Sequence, residues 1–202
     1  MRNAGRWPRT SPTAPATCNR PTVAAICVYC ASSDGIDESY LRLAAAVGHR
    51  LAADGHSLVS GGGRVSMMGA LARAARAGGA RTVGVIPQHL VPYEVADVDA
   101  DELIVVDTMR ERKRVMDERA DAFLALPGGI GTLEELFEVW TAGSLGMHAK
   151  PVVVLDPGDF YAPLWRYLDQ LVEDGFVRPQ ALDRLGRVRT AAEAFALLGP
   201  AR

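Results

Sequence analysis

The sequence predicts an α/β protein built on a doubly wound, Rossmann-like and mostly parallel sheet with helices on both faces. Three observations carry that expectation. Short apolar runs alternate along the chain with longer segments whose apolar residues recur at helical spacing. The runs are apolar nearly throughout, the pattern of strands covered on both faces. Two junctions between a run and the following helix are glycine-rich, at 61–63 and 128–131, and parallel sheets bind their ligands at such strand ends.

Val23 to Ala31 (VAAICVYCA) reads as the first strand, followed by the polar turn Ser32-Ser33-Asp34-Gly35. From Asp37 to Ala53 the residues Leu41, Ala44, Ala45, Leu51 and Ala52 recur at helical spacing, and Asp54-Gly55 supplies the stop. Ser57 to Ser60 is a second short strand, and the glycine-rich turn after it opens a helix that runs to about Ala77. That turn is no Walker A loop, and Ser66 stands where the last glycine of a dinucleotide fingerprint belongs. Thr82 to Ile86 is the third strand and Leu103 to Val106 the fourth, joined by the proline-containing, acidic connection Pro87 to Asp101.

Thr108 to Ala120 (TMRERKRVMDERA) is a charged helix with a narrow apolar stripe at Met109, Val115 and Met116. Four of the five residues Arg110 to Arg114 are basic, which suits a solvated face, with one or two free to point inward. Ala122 to Leu126 is a strand ended by Pro127, and the helix after it spans Gly131 to about Gly146. Val152 to Leu155, a helix over Phe160 to Glu173, a short strand near Arg187 to Arg189 and a helix over Ala191 to Leu198 complete the alternation.

Residues 1–22 carry four arginines, four prolines and no acid. They read as a disordered basic tail ahead of a single domain over 23–202; a transit peptide is the alternative. A net charge of −2 and a pI near 6.1 give no general attraction to nucleic acid or an anionic membrane. No apolar run is long enough to span a bilayer. The odd count of three cysteines suits a reducing, cytoplasmic setting. Cys27 and Cys30 form a C-x-x-C pair inside or at the end of a strand, and buried thiols are expected there instead of redox chemistry. The four histidines share no metal-ligand spacing, so no metal is expected.

The central stretch is DAFLALPGGIGTLEELFEV, Asp121 to Val139. Missing Cβ atoms at Gly128, Gly129 and Gly131 let successive backbone N–H groups face an anion at a helix start. Thr132 with Glu135 also fits a capping box, which requires no ligand. From these residues alone a helix cap and a catalytic Glu135 stand level.

PGGIGTLEE at 127–135 and MRERKRVM at 109–116, with VYCASSDG at 28–35 and GGGRVSMMG at 61–69, resemble the Lonely Guy phosphoribohydrolases. The likeness covers about residues 23–175. It implies hydrolysis of the N-glycosidic bond of cytokinin riboside 5′-monophosphates, without a cofactor, by a homodimer. By motif it carries catalytic roles to Arg112 and Glu135, and substrate contacts to Lys113, Gly129, Ile130, Gly131, Thr132, Leu133, Glu134, Thr141 and, from the loop after the third strand, Glu94. Ser66, Met67, Ala31 and Trp140 depart from the family's usual residues. A nucleosidase acting broadly on AMP and a nucleotide-binding module without hydrolysis are the alternatives. Some relatives are labelled lysine decarboxylases, but a pyridoxal phosphate enzyme needs a Schiff-base lysine, and Lys113 and Lys150 are the two lysines. Met109, Met116, Phe137 and Trp140 are candidates for apolar dimer contacts, with burial in the monomer the competing expectation.

Overall fold

The computed structural model describes residues 23–199. The expected disordered tail at 1–22 lies outside the described residues, and so does the side chain of Glu94. Seven strands form one parallel sheet: β1 (Ala25–Tyr29), β2 (Ser57–Ser60), β3 (Thr82–Pro87), β4 (Glu102–Val106), β5 (Ala122–Ala125), β6 (Val152–Leu155) and β7 (Leu185–Val188). Their order across the sheet is β4-β3-β2-β1-β5-β6-β7. The chain winds outward from β1 to one edge, then returns to pair β5 with the other side of β1. The strand order therefore reverses between β1 and β5, where the connections leave a crevice at the carboxyl ends.

The helices are α1 (Glu38–Ala53), α2 (Ser66–Ala77), α3 (Val91–Glu94), α4 (Met109–Arg119), α5 (Ile130–Ser144), α6 (Ala162–Glu173), α7 (Pro179–Leu182) and α8 (Ala191–Leu198). Alternation along each strand divides the core into two layers. Ile26 and Val28 of β1 face α1, α2 and α8, whereas Cys27 and Tyr29 face α4, α5 and α6. All of these strand residues are at most 4% exposed, as expected for strands covered on both sides.

Several boundaries differ from expectation for identifiable reasons. The last strand lies at Leu185–Val188, earlier than the basic residues suggested, because Leu185 packs into the core beside Val152 of β6. The Pro87–Asp101 connection holds a 3-10 turn at Gln88–Leu90 and the single turn α3. The turn α7 has too few residues to show a period; the Trp140 indole N–H donates to Ala181 O at 2.7 Å and pins it to α5. Met116 and Trp140, at 1% and 7% exposure, belong to the core. They are excluded as dimer contacts.

Helices α1 and α2 cross where Gly48 stands. A Cβ there would lie 2.9 Å from both Ala74 Cβ and Ala75 N, closer than side chains tolerate. Gly48→Ala is therefore expected to destabilise the protein by about 1–3 kcal/mol through overpacking, despite alanine's better helix propensity. Urea denaturation checks this, and equal or greater stability would show that the helices separate at little cost.

Candidate active site

Helix α4 begins at Thr108, whose hydroxyl accepts the Glu111 N–H at 3.1 Å. From that start, Arg112 and Met116 share one face, four residues apart, and that face meets the sheet. Arg112 is only 5% exposed. Its Nε donates to Val85 O at 3.1 Å and its Nη2 to Gly61 O at 2.8 Å, so the carboxyl ends of β2 and β3 hold the guanidinium. A buried cation is tolerated only with such partners. Any Cβ at Gly61 would collide with Arg112 Nη2, and Gly62 turns the loop with φ +73°. The basic run thus divides as expected. Arg112 points inward, while Arg114 is exposed and pairs with Glu118 at 2.7 Å.

Across the crevice, β5 leads into α5. Pro127 O accepts the Ala31 N–H at 3.3 Å and Tyr29 O accepts the Leu126 N–H at 2.9 Å, joining the ends of β1 and β5. Helix α5 has Gly129 as its N-cap and starts at Ile130, with no side chain capping it. Thr132 and Glu135 consequently lie inside the helix, and the capping-box reading is incorrect. Gly128 is the cause: a Cβ there would strike the Thr132 side chain, so Thr132 tucks under the turn at 4% exposure instead of turning back to cap. The first turn of α5 lines the crevice, and the N–H groups at a helix start favour anions.

Arg112, Glu135, Gly129, Ile130, Gly131 and Thr132 line a single cleft of about 140 Å³, together with Gly61 and the Tyr29–Ser33 strand end. Tyr29 and Glu135 also line a larger groove of about 590 Å³ between α4 and α5, which holds Lys113, Met116, Phe137, Glu138, Thr141 and Met147. The cleft alone falls below the roughly 300–1,000 Å³ of small-molecule sites, and the two cavities together reach it. Lys113 and Glu134 pair with each other. Leu133 packs on the core beneath α4, α5 and α6. Tyr29, Ser32 and Ser33 were quoted in the motif but not picked out as site residues, and their position next to the strand-order reversal is the signal that finds them.

Burial dominates the electrostatics beneath the cleft. The Cys27 thiol is fully buried, pushed up first by desolvation and then by the Glu135 carboxylate, with Arg112 pulling the other way. Tyr29 is likewise raised, by burial first and by Glu135 among its neighbours. For Lys113, burial lowers the pKa but the carboxylates of Glu134 and Glu138 outweigh it, and the net direction is upward. That contribution is present below the ordinary lysine value and is lost as pH rises through the raised one.

Ser66 takes φ +49° at the start of α2 and donates to Ser33 O at 2.7 Å. This bond between two loops bordering the cleft offsets the left-handed strain at a position where a glycine was expected. Among the described residues no group of His, Cys, Asp or Glu converges as a metal site, and no helix is long and apolar enough to cross a membrane.

A glycine-walled cleft at the strand-order reversal of a parallel sheet is the place where open α/β proteins of the Rossmann-like class bind their ligands. A family model described as possible lysine decarboxylase matches residues 68–198. The chain is 53% identical over 175 residues to the cytokinin riboside 5′-monophosphate phosphoribohydrolase of Mycobacterium tuberculosis, covering 87% of this chain and 93% of that protein. It is 44% identical over 156 residues to an enzyme of the same name from Arabidopsis thaliana, covering 77% and 73%. The chain belongs to the cytokinin riboside 5′-monophosphate phosphoribohydrolase family. Among solved structures, the molybdenum cofactor binding protein of Rippkaea orientalis has a TM-score of 0.64 at 19% identity, covering 87% of this chain and 94% of that one, a likeness of fold. The two lysines suit no pyridoxal phosphate: Lys113 sits between two carboxylates, and Lys150 bonds Asp117 through its main-chain oxygen and, at 3.0 Å, its Oδ1.

Burial and the raised pKa values of Cys27 and Cys30 predict inert thiols. Iodoacetamide at neutral pH should leave both unmodified in the folded protein and label both after denaturation, as read by peptide mass spectrometry. Rapid native labelling of either would contradict its burial.

Proposed function

We propose that this chain hydrolyses the N-glycosidic bond of cytokinin riboside 5′-monophosphates, releasing the free base and ribose 5-phosphate. The observation that carries the reading is the meeting of Arg112 and Glu135 in one cleft walled by the N-terminus of α5. The identity to named phosphoribohydrolases supports the same reaction.

In the reaction the C1′–N9 bond breaks and its electron pair stays with the base. Water adds to C1′ and the proton balance is completed by protonation of the base. Positive charge builds on the ribose as the bond stretches, and a carboxylate beside C1′ stabilises it and orients the water. Glu135 takes that role. Arg112, held by the carbonyls of Val85 and Gly61, contributes a rigid, cationic donor fork to the wall of the substrate site. The 5′-phosphate lies against the N–H groups of Ile130, Gly131 and Thr132 at the uncapped helix start. The base extends into the α4–α5 groove toward Thr141, with Met116, Phe137 and Met147 as its apolar lining. In this reading the enzyme is a cytoplasmic homodimer, and the exposed side chains of Met109, Leu145 and Met147 are available for apolar contact between copies.

Glu135→Gln is expected to keep the fold and nucleotide binding while losing at least about a hundredfold in kcat, the scale of one preorganised electrostatic group. Arg112→Met should be similarly impaired and Arg114→Ala nearly unchanged. Base release measured by chromatography with AMP and with its N6-isopentenyl analogue checks all three, and full turnover by Glu135→Gln would remove its assigned role.

A second expectation concerns the phosphate. Charge-assisted contacts are worth about 1.5–3 kcal/mol each, so a substrate lacking two of them should lose about a hundredfold or more in kcat/KM. Isopentenyladenosine should therefore be a far poorer substrate than its 5′-monophosphate. Comparable efficiencies would contradict a phosphate site at the start of α5.

A further inference from the structure

Among the described residues three other than glycine take a left-handed backbone: Ser66, Val95 and Asp159. Two of them bracket the glycine turn at 61–64. Val95 O accepts the Arg64 N–H at 3.0 Å, and Ser66 opens α2 just beyond the turn with φ +49°. That conformation is costly for a residue with a Cβ and free for glycine, so a serine there needs a compensating contact. Helix capping does not supply it. A serine beside a helix start ordinarily accepts an N–H of its own first turn, but α2 has no side-chain cap. The Ser66 hydroxyl instead donates to Ser33 O at 2.7 Å, 33 positions back along the chain. Among the described residues this is the one hydrogen bond from another segment that reaches residues 32–36. Ser32, Ser33 and Asp34 are exposed, so burial does not fix their turn. Ser32 and Ser33 line the cleft with Gly61 and Arg112, whereas Ser66 is outside that lining. Gly61 O in turn accepts Arg112 Nη2. One hydroxyl thus joins the serine turn to the segment that holds Arg112.

We propose that Ser66 is a positioning residue, kept under backbone strain so that its hydroxyl fixes the Ser32–Ser33 turn against the glycine turn that bonds Arg112. The proposal rests on the hydrolytic reading for its kinetic test but not for its structural one. Relief of the strain and loss of one neutral hydrogen bond are of similar size and opposite sign. Small misplacements of groups in a site, by contrast, cost up to about a hundredfold in rate. Stability should therefore follow the backbone of residue 66, and turnover its hydroxyl.

The test compares Ser66→Gly, Ser66→Ala and Ser66→Thr with the wild-type protein by thermal unfolding, by kinetics on N6-isopentenyladenosine 5′-monophosphate and by hydrogen exchange. Ser66→Gly removes the hydroxyl and the strain together, and Ser66→Ala removes the hydroxyl alone. Ser66→Thr keeps the hydroxyl under greater strain, because a β-branched residue fits the left-handed region worst. Ser66→Gly should melt close to wild type, and Ser66→Ala and Ser66→Thr below it. In both Ser66→Gly and Ser66→Ala kcat should fall about tenfold with KM within about threefold, and Ser66→Thr should recover most of kcat. Turnover that tracks the melting temperature instead, with Ser66→Gly at wild-type kcat and Ser66→Thr impaired, would overturn the proposal, as would a loss confined to KM. Hydrogen exchange over Ser33 to Ile36 supplies a readout that needs no substrate. Faster exchange in Ser66→Gly and Ser66→Ala supports the strap, and unchanged exchange overturns it. Failure of wild-type protein to hydrolyse any nucleoside monophosphate would instead count against the proposed reaction, and the exchange result would still decide the role of Ser66.

Discussion

The guanidinium of Arg112, buried against the main-chain carbonyls of Val85 and Gly61, is the contact on which the arrangement of the site depends. A buried charge is costly unless it is bonded, and these acceptors exist only where β2 and β3 end side by side. Meeting them requires that α4 turn Arg112 toward the sheet, that Met116 pack on the same face, and that Gly61 carry no Cβ. Loss of any one either removes acceptors from a buried cation or forces a steric clash inside the core.

The opposite wall follows from a second steric condition. Gly128 admits the Thr132 side chain beneath the turn, and α5 begins at Ile130 with its first turn lining the crevice. Parallel pairing of β1 with both β2 and β5 brings the two walls together. The result is one cationic side and one helix-start side, with Glu135 and Tyr29 lining both the cleft and the larger groove. In the proposed reaction, binding of an anionic nucleotide and stabilisation of a cationic ribose draw on different parts of the same small volume.

Much of this was legible in the sequence because strands buried on both faces leave continuous apolar runs, as at Ala122–Ala125 and Val152–Leu155, and glycine-rich turns mark strand ends. The inward arginine was legible only as one or two members of a basic run, since periodicity does not report which carbonyls a side chain reaches. The start of α5 was misplaced for a related reason: Thr132 and Glu135 have capping-box spacing, but the space left by Gly128 decides where Thr132 points. Met116 and Trp140 looked equally suited to an interface or a core until their burial decided it. The ion pairs of Lys113 with Glu134 and Glu138 join residues 21 and more positions apart on two helices, a relationship that no local pattern records.

The most direct test of the central claim is a crystal structure of Glu135→Gln with N6-isopentenyladenosine 5′-monophosphate bound. The account predicts the phosphate at the main-chain N–H groups of residues 130–132, C1′ of the ribose between positions 112 and 135, and the base in the groove beside Thr141. A nucleotide bound elsewhere, such as the surface hollow bordered by Arg64, Arg73 and Arg76, or bound with its phosphate away from the start of α5, would contradict it.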